Sequence, residues 1–286
     1  MQCKSLLNSL IFVILLKSAK KITSLFALVV IVLTTSCDPY PKLARKASIE
    51  MKFQYALTAF DKEEYARALP ILEELITVYR GTANAEKVLF YYAYCNYNTE
   101  DYVLAAYHFK NFAKTFPTSP KTEECAYMAA YCYYLTSPVY SLDQTETKAA
   151  LKELQSFVNT YPKSTRLAEA NEIVGKLRLK LETKAAEIAK QYYNTSNFKS
   201  AIVAMNNFSK DYPDSKFVEE LNYLLVKSHY MLTINSIETK KPERVKATME
   251  AYLKFIDKYP HSNYSKDAEN IYEQALKLSA KYKITT

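Results

Sequence analysis

Phe116-Pro117-Thr118-Ser119 decides how this chain is read, because the same aromatic-Pro-x-Ser signature returns three times. Tyr161-Pro162-Lys163-Ser164, Tyr212-Pro213-Asp214-Ser215 and Tyr259-Pro260-His261-Ser262 repeat it, with successive prolines 45, 51 and 47 residues apart. Each copy follows one apolar run of helical period and precedes another. Proline cannot continue a helix, and a serine two places later is suited to capping the next one. A helix stop and a helix start recurring at a near-regular period predict an all-α array of helical repeats.

The composition agrees. The 286 residues include 26 Tyr, no Trp and 2 Gly, Gly81 and Gly175. Two isolated glycines leave no G-x-G-x-x-G or Walker-type loop for cradling phosphate. The formal net charge is +8, and Lys4, Lys17, Lys20 and Lys21 account for half of it before any acid appears. Beyond residue 36 basic and acidic residues are interspersed, which describes solvated helix faces and argues against nucleic acid as a partner.

Residues 1–36 read as a lipoprotein signal peptide. Lys17, Lys20 and Lys21 precede the apolar run Ile22–Leu33, and Thr34-Thr35-Ser36-Cys37 follows it. Small residues before a cysteine are the pattern of a lipidation site, with Cys37 the first residue of the mature chain and the acceptor of the lipid; Thr34 stands where a leucine is usual. Ile22–Leu33 is shorter than the roughly 20 apolar residues that a membrane span needs. Residues 37–47, with two prolines, read as a lipidated tether. The remaining thiols Cys95, Cys125 and Cys132 are expected as small buried residues. Two helical turns, about 10 Å, separate Cys125 from Cys132, too far for a disulfide.

The tetratricopeptide (TPR) pattern places a small residue on a first helix, Ala twelve residues later on a second helix, and Pro twelve after that. Ala93, Ala105 and Pro117 fit it, as do Ala189, Ala201 and Pro213. In the first repeat Ala56 and Ala68 lead to Arg80 with Gly81 next. Repeats three and five carry eight extra residues, near 136–145 and 235–242. The expected fold is a TPR solenoid of about five repeats with a C-terminal capping helix. Residues 48–162 hold repeats one to three, and residues 163–286 hold repeats four and five and the cap. The Pro-free run 165–194 predicts one long helix.

On the first helices of repeats one to three, positions i, i+4 and i+7 share one face. In order along the chain, this stripe holds Phe53, Leu57 and Phe60; Phe90, Tyr94 and Tyr97; and Tyr127, Tyr131 and Tyr134. The equivalent stripes in repeats four and five read Ala186, Lys190, Tyr193 and Leu225, His229, Leu232. The aromatic stripe is open to two readings, a core seam between helices or a peptide-binding groove on a concave face. Phenol hydroxyls favour the half-wet groove. Its candidate residues are Phe53, Phe60, Phe90, Tyr94, Tyr97, Tyr127, Tyr131 and Tyr134. No catalytic, metal or cofactor site is expected, since His108, His229 and His261 lie on separate repeats and the carboxylate pairs are adjacent in sequence.

Several stretches carry a family likeness: the lipobox, Tyr55-Ala56-Leu57-Thr58-Ala59-Phe60, Tyr65-Ala66-Arg67-Ala68, the insertion Leu142-Asp143-Gln144-Thr145, Phe157–Pro162 and Val218–Leu221. Together the chain resembles the BamD (YfiO-type) outer-membrane protein assembly lipoproteins over roughly 37–280. The resemblance implies a lipid-anchored scaffold on the periplasmic face of the outer membrane. It would receive unfolded outer-membrane proteins, often with an aromatic end, in the amino-terminal repeats. It would dock on a BamA-like barrel protein with periplasmic domains through the carboxy-terminal repeats. The alternative is another TPR lipoprotein that scaffolds a cell-envelope complex; an enzyme or a glycan-binding lipoprotein fits less well.

Overall fold

The computed structural model describes residues 47–284. The expected signal segment, nearly all of the tether and Cys37 lie outside the described residues. The described chain is helical throughout: α1 (Ile49–Asp61), α2 (Tyr65–Val78), α3 (Ala85–Asn98), α4 (Tyr102–Thr115), α5 (Thr122–Thr136) and α6 (Thr145–Thr160) come first. Then follow α7 (Leu167–Asn194), α8 (Phe198–Asp211), α9 (Val218–Ile234), a 3-10 turn at Glu238–Lys240, α10 (Lys241–Lys258) and α11 (Ser265–Lys281). No strand occurs among the described residues, and no helix among them is long and apolar enough to cross a membrane. The fold is the expected TPR-like array with a capping helix.

The chain divides into two compact units, the first ending at Cys95 and the second running from Asn96. That division lies inside α3, whereas the expected boundary at 162/163 falls within the second unit, in the turn before α7. In the first unit Ala56, Ala59, Ala68, Leu72, Leu75, Val88 and Cys95 form the core, and the small residues let α1 and α2 approach closely. Pro70 sits inside α2, past the turn whose N–H groups lack partners anyway, so the helix gives up one internal bond there. Gly81 has a φ of 77°, the left-handed conformation that halts the chain after α2 where the other repeats use proline.

In the second unit successive helices pack as neighbours from α4 to α11, and α9 also touches α7 and α11. The four signature turns share one geometry. The aromatic N–H bonds back to the carbonyl of Phe112, Phe157, Phe208 or Phe255 at 2.8–2.9 Å, and the two rings meet at 5.2–5.6 Å. Proline then excludes the helical conformation from the residue before it, and φ/ψ at Phe116, for example, is −122°/60°. The serine works slightly earlier than a helix cap. Its Oγ accepts the N–H two residues on, at Lys121, Arg166, Phe217 and Tyr264 (3.1–3.4 Å), and these four open the helices without a side-chain cap. The signature serine thus closes the turn rather than the helix.

The long helix α7 has 28 residues, about 42 Å at 1.5 Å per residue. Its first part packs on the third repeat through Ala170, Ile173 and Leu177. Its last part supplies Ala186 and Ala189 to a core with Ala201, Met205, Phe208 and Leu221. The cap α11 buries Ala268, Ile271 and Ala275 against α9 and α10. Its polar face is tied down by hydrogen bonds from Tyr223 to Asp267 and Tyr230 to Gln274, and by Tyr282 to Glu238 at 2.6 Å. Lys241 and, after it, Tyr282 hold the exposed Glu238 carboxyl down at about 2.

Candidate aromatic binding faces

The eight expected groove residues divide between the two units, and within each they divide between interior and surface. In the first unit Phe53 is buried, its ring 5.8 Å from Tyr79 in the core. Phe60 is half-buried and packs edge-on against Tyr65 and Tyr91 at 5.3 and 4.8 Å. Phe90 is buried, with Tyr91 at 5.7 Å and Tyr94 at 4.8 Å, and Tyr94 keeps part of its surface. A continuous row therefore runs Tyr65, Phe60, Tyr91, Phe90, Tyr94. Sequence spacing missed Tyr91 and Tyr65, because Tyr91 belongs to the neighbouring stripe and Tyr65 to the next helix. The signal available was the density of aromatic residues at 90–97 rather than their period.

In the second unit Tyr127, Tyr131 and Tyr134 follow one another along α5 with ring centroids 5.9 and 5.8 Å apart, the first pair nearly parallel at 18°. Tyr97 joins from the end of α3, 6.4 Å from Tyr131 and 5.8 Å from Tyr102. Tyr97, Tyr131 and Tyr134 are half-exposed, while Tyr127 is 1% exposed. Two later residues enclose Tyr127: the Phe157 ring at 5.4 Å and the Arg166 guanidinium 4.5 Å above its face. Its hydroxyl has no partner in hydrogen-bond geometry, although burial and the nearby Glu169 carboxylate both push the phenol pKa upward. Burial, with Tyr131 nearby, raises Tyr97 as well.

Three of the eight, Phe53, Phe90 and Tyr127, are thus interior residues that support the surface, and Phe60, Tyr94, Tyr97, Tyr131 and Tyr134 present ring area to solvent. Along the second-unit row the border is charged. Lys176 pairs with Glu172 at 2.7 Å and lies close enough to Tyr131 and Tyr134 to sense them, and Arg166 pairs with Glu169 at 3.4 Å. Rings with a polar rim bind apolar and aromatic side chains of an extended chain by stacking, and the rim offers counter-charges to its ends.

Cys95, Cys125 and Cys132 are buried, and burial pushes the Cys95 and Cys132 thiols up to about 12, which keeps them protonated and inert. Among the described residues no cluster of His, Cys, Asp and Glu could hold a metal ion. At the equivalent stripes further on, Lys190 replaces a ring and bonds Glu220 at 2.6 Å. His229 there is driven below its usual pKa by burial, with Lys254 adding to the effect.

No curated protein matches the chain. Solved structures do. One is the crystal structure of the P58(IPK) TPR domain, 15% identical, with 83% of this chain and 67% of that chain covered and a TM-score of 0.39. The YfiO family, described as outer membrane lipoprotein, matches residues 46–192 and 180–286. Those two stretches take in every residue the structure describes, with the helix pairs, the signature turns and the capping helix, and the chain belongs to the YfiO outer membrane lipoprotein family.

Proposed function

We propose that the half-exposed rings of Phe60 and Tyr94 on one unit, and of Tyr97, Tyr131 and Tyr134 on the other, receive segments of unfolded outer-membrane proteins. Membership of the YfiO, or BamD, family makes the protein a TPR scaffold in outer-membrane β-barrel assembly, lipid-anchored and not an enzyme. Its partners are a BamA-like barrel protein and nascent outer-membrane proteins. The proposal concerns which residues serve that role.

The observation that carries it is the row of Tyr97, Tyr131 and Tyr134. Three rings within 6.4 Å of their neighbours, backed by the buried Tyr127, keep part of their faces in water. An aromatic residue of a client stacks on such a row, and Lys176 or Arg166 answers a chain-terminal carboxylate beside it. In this reading the carboxy-terminal repeats, where the stripe carries Lys190 and His229 instead, dock the BamA-like component, and Cys37 carries the lipid.

The decisive experiment measures binding of a peptide ending in phenylalanine, together with thermal unfolding. Tyr131→Ala should weaken binding severalfold with little change in melting temperature. A large fall in melting temperature with unchanged affinity would assign the row to the core and end the proposal. Cys37→Ser should release the protein from membranes, and continued sedimentation after alkaline washing would remove the anchor from Cys37.

A further inference from the structure

The insertion between α5 and α6, residues 137–144, is an ordered loop with an unusual division of labour. Five of its carbonyls and the Gln144 side chain are held by the protein, while Ser141 and Asp143 are exposed. The Gln144 amide, 5% exposed, donates to the carbonyls of Val139 and Leu142 at 2.9 Å and of Asp143 at 3.3 Å, and its oxygen accepts from the Thr147 hydroxyl at 2.7 Å. Thr147 in turn shares a 2.6 Å hydrogen bond with Ser137. Two lysines one turn apart on α7 complete the support. Lys180 donates to the Ser137 carbonyl and hydroxyl at 3.2 and 2.6 Å, and Lys184 donates to the carbonyls of Ser141 and Leu142.

The apolar side chains face outward: Val139 is 63% exposed, Leu142 58% and Tyr140 43%. A solvated loop has no need to hand five of its carbonyls to protein donors, since water would serve them. A loop that leaves water does need this, because unsatisfied carbonyls are costly in an apolar medium.

We propose that this loop dips into the membrane to which the protein is anchored, with Val139, Tyr140 and Leu142 at the boundary between headgroups and acyl chains. Tyrosine suits that depth, and short apolar tips bind there without spanning. The surrounding charge fits a surface of anionic phospholipid: Lys148 is exposed at the base of the loop and Lys184 is partly so. The Asp143 carboxylate does not stand against this, for it accepts the Thr145 N–H at 2.9 Å and faces Lys184 and Lys148. Glu146, exposed in the first turn of α6, limits the depth. The proposal rests on the lipid-anchor reading.

The chain has no tryptophan, so Tyr140→Trp creates a lone reporter. The full lipoprotein carrying it is reconstituted in phosphatidylethanolamine–phosphatidylglycerol vesicles with and without brominated acyl chains. The expected result is blue-shifted emission with a marked loss of intensity in the brominated vesicles. Adding Gln144→Ala should reduce that loss by freeing the loop. A comparison reporter, Tyr107→Trp on α4 at a residue 63% exposed, should remain red-shifted and unquenched. A Tyr140→Trp protein that floats with the vesicles but is not quenched overturns the proposal and leaves the anchor standing. So does equal quenching at Tyr107, which means unspecific adsorption. A shift that appears only when a barrel protein with periplasmic domains is added assigns the loop to that protein instead. A protein that does not float overturns the anchor and this proposal together.

Discussion

The first helix of the third repeat and the first helices of the fourth and fifth use the same stripe for different chemistry. On α5 it carries Tyr127, Tyr131 and Tyr134, a run of rings. On the last part of α7 it carries Ala186, Lys190 and Tyr193, and on α9 it carries Leu225, His229 and Leu232. The first position is buried at Tyr127 and Ala186 but only half-buried at Leu225, so the packing around it differs from repeat to repeat. The next position diverges: Tyr131 offers a ring, whereas Lys190 is bound to Glu220 and lies 5.7 Å from the Phe217 ring. At that second position the third repeat presents an aromatic ring and the fourth a charged pair.

The largest test of this contrast is at the buried position. Tyr127→Ala empties a site enclosed by Phe157 and Arg166 and should cost about 3 kcal/mol or more in denaturant unfolding. Tyr127→Phe should be neutral or stabilising, because the hydroxyl it removes has no hydrogen-bond partner. A Tyr127→Phe variant as damaged as Tyr127→Ala would show that the hydroxyl, not the ring, holds this corner. One turn further on, Tyr131 is half-exposed where Tyr127 is buried, so Tyr131→Ala should cost less stability than Tyr127→Ala and appear mainly as weaker peptide binding.

The charged stripe answers to pH. Burial lowers the His229 pKa in the fold, so the neutral ring is the native form and the stabilisation is complete above the unfolded value of about 6.5. It is lost as pH falls through the lower folded value. Melting temperature should therefore drop as pH falls below the unfolded value of about 6.5, and His229→Gln should flatten that drop. An unchanged slope in the variant would mean that His108, also lowered by burial, carries the effect. The smallest change is expected at Lys190. The pair with Glu220 is partly open to solvent, and Lys190→Met should shift stability by no more than about 1 kcal/mol in either direction.

The turns and helices were legible because their signals are local. A proline's ring and a tight aromatic–serine turn act on residues within one helical turn, so the four signature copies, the two eight-residue insertions and the long Pro-free helix are all where periodicity puts them. The burial of Phe53, Phe90 and Tyr127 was not legible, for a physical reason. A stripe at i, i+4 and i+7 defines a face but not which of its turns another element covers, and the covers of Tyr127 come from Phe157 and Arg166, at least thirty positions downstream. The serine's role was misplaced by the same kind of limit: capping and turn-closing use the same atom, and only the resulting angles distinguish them. The family likeness rested on whole stretches rather than single residues, and the family match bears it out.

The 28 residues of α7 have a consequence for how the array comes apart. Ordinary repeats open one at a time, since each touches only its neighbours. Here one uninterrupted helix is both the last layer of the third repeat and the first of the fourth, with Ile173 and Leu177 buried in one and Ala186 and Ala189 in the other. Fraying at either end must break the same rod, so the two repeats should unfold as one cooperative block. Amide exchange should then rise together along residues 167–194, and independent protection of its two halves would show the rod to be hinged. A pull on the third repeat would, through that block, load the fourth as well.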